Sequence, residues 1–227
     1  MSMVMGFDGN TGYTNHGAGA SLSIADNMTI QAFVNCKKAF ANDVVWRTQG
    51  APPYTGYLFT AGGPVAGIGV QAMRQALWTG SVTGWRYSNT DLVLGKTHNV
   101  AVVISGATNA TFYRDGVADG AVVVDALVAV PGLSLYVGNN SIASQLMRGG
   151  IYSVVIYNRA LTLAEINYNM NHPNNPIKRG CVLNLTQESL FGGQWKDLSG
   201  NANHGTLSAT GVGPIPMNNI AGRNSLV

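Results

Sequence analysis

Short runs of β-branched, aliphatic and aromatic residues recur along the chain, and glycine or asparagine separates most runs from the next. Runs that recur about every 8–12 residues are typical of antiparallel sandwiches, because each turn returns the chain to one of two stacked sheets. The pattern therefore predicts an all-β fold. The predicted strands cover residues 29–37, 43–48, 55–60, 67–74, 98–104, 110–114, 133–138, 150–157 and 181–186.

The composition agrees with this fold class and excludes several others. Charged residues make up 10% of the 227 residues, against about 25% in an ordinary soluble domain. A long helical protein would be rich in glutamate, whereas this chain has only Glu165 and Glu188. The 13 basic residues are scattered and the net charge is only +3. No nucleic-acid partner is predicted, since such binding needs clustered lysine and arginine.

Two local structures are specified residue by residue. Asp115 and Gly116 stand between two strand-like runs and supply the two positive-φ positions of a type I′ hairpin turn. Thr162 can cap the amide of Glu165, while the Glu165 carboxylate reaches back to the amide of Thr162. This capping box predicts one short helix after residue 162.

Several segments, read in order, resemble laminin-G-like domains of the concanavalin A-like lectin/glucanase superfamily. The segment FDGNTGY at residues 7–13 resembles their opening, GKTHNVA at 95–101 their "GkWhhvA" strand, and FYRDG at 112–116 their "lYvDG" hairpin. Residues 149–166 resemble their strand, "NRAL" turn and capped helix, which is the most specific block. Phe33 and Thr97 stand where the family usually has tryptophan.

The resemblance implies an antiparallel β-sandwich of the concanavalin A-like jelly-roll type with one short helix. We expect a single sandwich over residues 1–210 and an irregular C-terminal tail over 211–227. The motif WKDLSGNANHGTL at residues 195–207 resembles a segment that the family commonly carries before its first strand, so the chain looks circularly permuted. The C-terminal strands either complete their own sandwich or complete that of a neighbouring subunit.

The two cysteines and the N-terminus bear on the compartment. Cys36 and Cys181 each continue an alternation of inward-facing residues, so free buried thiols are favoured over a disulfide. The N-terminus has neither the basic nor the apolar region of a signal peptide. No apolar run reaches the length of about 18 residues that a membrane helix needs. We expect no membrane insertion.

The resemblance also suggests a metal, because many relatives bind one calcium ion at the edge of the sandwich. Carboxylates and carbonyls are the ligands that calcium prefers. Asp8 is the first candidate ligand, and Asp197, in a loop with Asn201 and Asn203, is the second. The alternative is that both aspartates only shape turns. The expected cofactor is therefore none, or one structural calcium.

Aromatic residues cluster between residues 46 and 90, beside asparagine, glutamine and arginine. Flat rings with polar neighbours are how a lectin holds a sugar. Rings of this kind also fill cores and subunit interfaces, and the sequence leaves these alternatives open. The candidate ligand-binding residues are Trp46, Tyr54, Tyr57, Trp78, Trp85 and Tyr87.

Two functions compete, and neither is enzymatic. Glycosidases of this fold place paired carboxylates on one strand, in patterns such as E-x-D-x-x-E, and neither glutamate here has such a neighbour. The main prediction is a structural virion component, a capsid decoration or tail-associated protein. Its expected partners are other virion or assembly proteins, and we expect the chain to form a homo-oligomer. The alternative is a carbohydrate-binding or adhesion module with glycan partners. The expected location is a virion surface or the extracellular space.

Overall fold

A computed structural model shows two antiparallel β-sheets that pack face to face, with one α-helix against the outer side of one sheet. The expected all-β antiparallel sandwich with a short helix is confirmed. The structure describes residues 3–39, 42–48, 55–62, 73–80, 84–106, 108–138, 147–208 and 212–216, with the backbone alone for residue 3 and for 212–216.

The described residues form seventeen strands and one helix, α1, over Leu163–Asn171. Two 3₁₀ turns lie at Ala20–Leu22 and Gln187–Ser189. The strands are Met3–Asp8 (β1), Thr14–Asn15 (β2), Met28–Cys36 (β3), Asp43–Thr48 (β4), Thr55–Ala61 (β5), Arg74–Gly80 (β6), Arg86–Asp91 (β7), Thr97–Ser105 (β8), Asn109–Arg114 (β9), Val117–Val123 (β10), Tyr136–Val137 (β11), Arg148–Tyr157 (β12), Cys181–Leu185 (β13), Leu190–Phe191 (β14), Gln194–Trp195 (β15), Gly205–Leu207 (β16) and Val212–Pro216 (β17).

Sheet A has eight strands and sheet B has nine. Sheet A runs β10-β9-β8-β3-β12-β1-β17, and β13 also pairs with β12. Sheet B runs β14-β15-β16-β2-β11-β4-β5-β6-β7. Alternate residues of both sheets point inward and form one core, which includes Ile30, Val45, Phe59 and Trp195. Both cysteines are buried and free, as predicted.

A buried polar network pins α1 to the outer side of sheet A. The Gln31 amide nitrogen donates to Asn99 Oδ1 and to the carbonyl of Ile166, at 2.9 and 3.0 Å. Asn169 Nδ2 donates to Gln31 Oε1 and to the Tyr157 hydroxyl. Such bonds fix one position of the helix, because a buried polar group without a partner is costly. No helix among the described residues has the length and apolar character to cross a membrane.

The two local predictions are confirmed. Asp115 and Gly116 have φ angles of 50° and 79° and join β9 to β10. The Asp115 carboxylate also contacts His98 Nδ1 at 2.8 Å and accepts the Asn99 amide at 2.9 Å. At α1 the Thr162 side chain and the Glu165 backbone and carboxylate form the capping box.

The C-terminal segment completes its own sandwich. Strand β13 pairs with β12 on the same side as β1, and β16 pairs with β2 near the N-terminus. The segment that looked displaced in the sequence therefore lies beside the N-terminal strands of the same chain. In this arrangement the chain closes its own sandwich.

Some boundaries differ from the sequence prediction. Of the strand predicted at residues 133–138, only Tyr136–Val137 pair as β11, while the strand predicted at residues 67–74 lies mostly outside the described residues. Residues 212–216 were expected in an irregular tail, but they pair with β1 from residue 3 to residue 7. Glycine and proline made this segment look like a turn, yet β17 is an edge strand, and an edge position tolerates proline.

Replacing the helix cap should destabilise the protein measurably. Thr162→Ala removes the acceptor of the Glu165 amide, a bond of 3.3 Å, and should lower the free energy of unfolding by about 1 kcal/mol. Thr162→Ser keeps the hydroxyl and should stay close to the wild type. Urea denaturation measures both values, and equal losses in the two variants would contradict the capping role.

Candidate functional site

One residue from each of eight neighbouring strands of sheet B lies on the face opposite the core, and the strand register aligns all eight. Eight strands have seven spacings of about 4.8 Å, so the line is about 34 Å long. We call it the outer row. Its members, in order, are Phe191, Gln194, Thr206, Asn15, Tyr136, Trp46, Leu58 and Trp78.

The position of the outer row follows from strand alternation. Successive side chains of a strand point to opposite faces. Val45, Val137 and Trp195 are fully buried between the sheets. Trp46, Tyr136 and Gln194, their neighbours in the chain, must therefore point outward.

The half of the outer row that lies on β11 to β6 is aromatic. Trp46, Trp78 and Tyr136 are half-buried. Leu58 lies between the two tryptophans in the register and is only 2% exposed, although it faces away from the core. The Tyr13 ring meets the Tyr136 ring edge to face, with centroids 5.5 Å apart. The result is a packed aromatic surface that is still partly open to solvent.

The other half of the outer row is polar and ends in an exposed ring. Asn15 Oδ1 accepts the Gly17 amide at 2.9 Å, which fixes the orientation of its side-chain amide. Gln194 and Thr206 are exposed. Phe191 is 71% exposed, and Lys196 Nζ lies 5.0 Å from the centroid of its ring.

A buried histidine, His16, lies under the polar half of the outer row, on the core side of sheet B. His16 Nε2 contacts Thr14 Oγ1, and His16 Nδ1 contacts the Asn203 carbonyl, both at 2.9 Å. A Cβ atom at Gly205 would collide with the His16 ring, so only glycine fits there. Burial lowers the pKa of His16 to about 4, although the Asn203 hydrogen bond and the charge of Asp197 oppose the shift.

The buried histidine should make the protein less stable in mild acid. The unfolded chain takes up a proton on His16 below its ordinary pKa of 6.5, whereas the folded protein resists until about 4. The unfolded state binds more protons in this window, so the free energy of unfolding should fall between pH 6.5 and pH 4, by about 1–3 kcal/mol.

Urea denaturation at several pH values measures this loss. If His16→Gln folds, it should lose the part of the pH dependence that belongs to this group. NMR of the His16 ring gives a second measurement on the wild type. A His16 ring that titrates near pH 6.5 would contradict the prediction.

The predicted aromatic residues do not all share one site. Trp46 and Trp78 belong to the outer row. Tyr87 pairs with Ala76 on the same face of sheet B, and Trp85 comes just before that strand; both are half-buried.

Tyr57 is a correction, and Tyr54 lies outside the described residues. Tyr57 is 1% exposed, and its hydroxyl donates to the Leu22 carbonyl at 3.1 Å. It is therefore a core residue. The sequence interpretation missed Tyr13, Tyr136 and the polar members of the outer row. For Tyr136 the sequence did contain a signal. It stands between two apolar residues, Leu135 and Val137, which alternation places in the core, and both are buried.

The first calcium candidate is surrounded by hydrogen-bond donors. Asp8 Oδ1 accepts the backbone amides of Asn10, Thr11 and Gly12 at 2.8, 3.1 and 3.3 Å. Burial alone would raise the pKa of Asp8, but these bonds together hold it below its ordinary value. The carboxylate shapes its own turn.

The second candidate has the same character. Asp197 Oδ1 accepts the amides of Asn184 and Ser199, and Oδ2 accepts the Ser199 hydroxyl and the Asn203 amide, all within 3.0 Å. Converging N–H and O–H groups do not fit a cation. Nowhere in the described part of the chain do three His, Cys, Asp or Glu side chains gather so that they could hold a metal ion.

A chelator experiment tests the calcium expectation. Because hydrogen-bond donors occupy the Asp8 and Asp197 carboxylates, we expect the same melting temperature in excess EDTA and in millimolar calcium. Differential scanning calorimetry gives both values. A higher melting temperature in calcium, abolished by Asp8→Asn, would establish a calcium site at that residue instead.

The comparisons with known proteins agree with the fold. The family model described as the concanavalin A-like lectin/glucanases superfamily matches residues 8–167. No curated protein matches the chain by sequence.

Several solved structures are similar over most of the chain. A candidate carbohydrate-binding protein from Bacteroides ovatus has a TM-score of 0.69 at 16% identity, over 95% of this chain and 60% of its own length. Domain 4 of an extracellular arabinanase from Geobacillus stearothermophilus, in complex with arabinotriose, has a TM-score of 0.54 at 16% identity, over 72% and 74%. A sialidase module from Ruminococcus gnavus, bound to α2,3-sialyllactose, has a TM-score of 0.52 at 11% identity, over 73% and 93%. At these identities the likeness establishes the fold alone.

Proposed function

The chain belongs to the concanavalin A-like lectin/glucanases superfamily, and on that premise we propose that it binds carbohydrate without cleaving it, through the outer row of sheet B. The observation that carries the proposal is the half-buried surface of Tyr136, Trp46 and Trp78, which lie in one row on one sheet face, with Leu58 between the two tryptophans.

This surface has the two properties that sugar binding needs. The faces of the aromatic rings offer apolar area for the C–H groups of a sugar ring. Asn15, Thr206 and Gln194 follow in the same row and offer amide and hydroxyl groups for the sugar hydroxyls. Apolar contact with a few placed polar groups is the usual composition of a small-molecule site.

The same surface lacks the groups that would cleave a glycosidic bond. Most glycoside hydrolases need two carboxylates that flank the scissile bond, and none of the eight outer-row residues is an acid. The two glutamates have other partners. Glu165 caps α1 and pairs with Arg159, and Glu188 accepts a hydrogen bond from Asn174.

The similar structures support the class of ligand. Two of the three are complexes with a sugar, arabinotriose in one and sialyllactose in the other, and the third is named as a candidate carbohydrate-binding protein. The earlier expectation of a virion component, with assembly proteins or further copies of the chain as partners, stays a prediction. An extracellular location fits the proposed function and is part of the proposal.

Removing either tryptophan of the outer row should weaken sugar binding. A glycan array identifies the ligand, and isothermal titration calorimetry with that ligand compares the variants. Trp46→Ala and Trp78→Ala should each lower the affinity at least about tenfold, or about 1.4 kcal/mol, because each removes a stacking surface worth about 1.5–3 kcal/mol when buried. Unchanged circular dichroism would show that the variants are folded.

Tyr168→Ala is the matched control. Tyr168 is 42% exposed on α1, which packs against sheet A and not sheet B. Its replacement should leave the affinity unchanged. An array without any bound glycan would contradict the proposed function. Equal affinities for the wild type and both tryptophan variants would instead place the site elsewhere on the protein.

A further inference from the structure

The outer row continues well beyond its aromatic half, and we infer that the ligand is a linear, uncharged glycan chain that lies across the strands, with Phe191 as a stacking position at its far end. The inference rests on the proposed function. It assigns a binding role to the C-terminal segment of residues 190–207.

The length of the outer row favours a chain over a single sugar. Residues paired across neighbouring strands line up perpendicular to the strands, so the row crosses the eight strands over a contour of about 34 Å. Tryptophan lies at one end and phenylalanine at the other, with polar side chains between them. A terminal sugar would occupy a small part of this line, whereas an extended oligosaccharide would contact both ends.

Phe191 is held in place although it is exposed. Its neighbour Leu190 pairs with Trp195, which is fully buried in the core. Gly192 and Gly193 form the turn with φ angles of 62° and 74°, which fixes Phe191 opposite Gln194. The ring is therefore presented on a short hairpin anchored in the core, which fixes its backbone at the end of the outer row.

The charge of the outer row favours an uncharged ligand. None of the eight side chains of the row carries a charge at neutral pH, so the row itself offers no charged partner to the carboxylate or sulfate of an acidic sugar. Stacking and neutral hydrogen bonds are the interactions that it offers. Lys196 lies beside the row, with its ammonium group over the Phe191 ring.

The polar half of the outer row exists only because the chain folds back on itself. Gln194, Thr206 and Phe191 all come from the C-terminal segment, which joins sheet B where β16 pairs with β2. Without this pairing the row would end at Asn15. The C-terminal segment thus extends the predicted binding surface by three strands, β14, β15 and β16.

Chain length is the variable that tests this inference. Cello-, xylo- and arabino-oligosaccharides of two to six units are titrated into the wild type, Phe191→Ala and Leu198→Ala. For the wild type, we expect the hexasaccharide of the preferred series to bind at least tenfold more tightly than the trisaccharide. Phe191→Ala should remove most of this gain and leave the trisaccharide affinity within twofold of the wild type.

Leu198→Ala is the control, because Leu198 is 46% exposed in the same C-terminal segment but lies outside the outer row. It should bind every length as the wild type does. A hexasaccharide that shifts the NMR signals of both Trp46 and Gln194 would support the crossing path independently of any substitution.

The outcomes separate the two proposals. If Trp46→Ala abolishes binding while the affinity is independent of chain length and of Phe191, the proposed function stands and this inference is overturned. Tighter binding of a uronic-acid oligosaccharide than of a neutral one of equal length overturns the uncharged ligand. If no oligosaccharide of any length binds, both proposals fail.

Discussion

The pairing of β16 with β2 is the contact on which the rest of sheet B depends. It joins a C-terminal strand to an N-terminal one and so connects the hairpin of β14 and β15 to the other strands. The His16 ring lies against Gly205 and has hydrogen-bond partners at both nitrogens. A neutral, fully bonded ring in a dry site is stable, whereas an unpaired one would cost about 1–3 kcal/mol. The strand pairing and the buried histidine therefore support each other.

Four of the ten acidic side chains form hydrogen bonds that shape the fold. Asp8 and Asp197 accept backbone amides from Asn10 and Asn184. Asp115 accepts the Asn99 amide of β8, and Glu165 forms the helix cap with Thr162. A carboxylate used in this way replaces water as the partner of otherwise unsatisfied N–H groups. Charged residues are few in the chain, and none of the eight outer-row residues is Asp, Glu, Lys or Arg.

Sequence patterns predicted the structure wherever one residue type fits one backbone geometry, as at Asp115-Gly116 and at Thr162. Sequence patterns predicted less where the residues on both faces of a strand are apolar. In β5, Tyr57 looks like the surface residue and Leu58 like the core residue. The structure reverses them, because the Tyr57 hydroxyl finds the Leu22 carbonyl inside and two tryptophans flank Leu58 outside. Such a choice depends on neighbours from distant parts of the chain, which periodicity does not contain.

The position of Leu58 also bears on why the aromatic surface suits a ligand. A leucine on the outer face of a sheet would normally be exposed, yet this one is 2% exposed between its two flanking indoles. The register places one indole on each side of this leucine, and both indoles are half-buried, so burial already limits their rotational freedom before anything binds. A ligand that stacks on ordered rings does not have to offset the loss of their rotational freedom. A preformed platform of this kind would give a neutral surface useful affinity, and the sheet register sets the spacing of its rings.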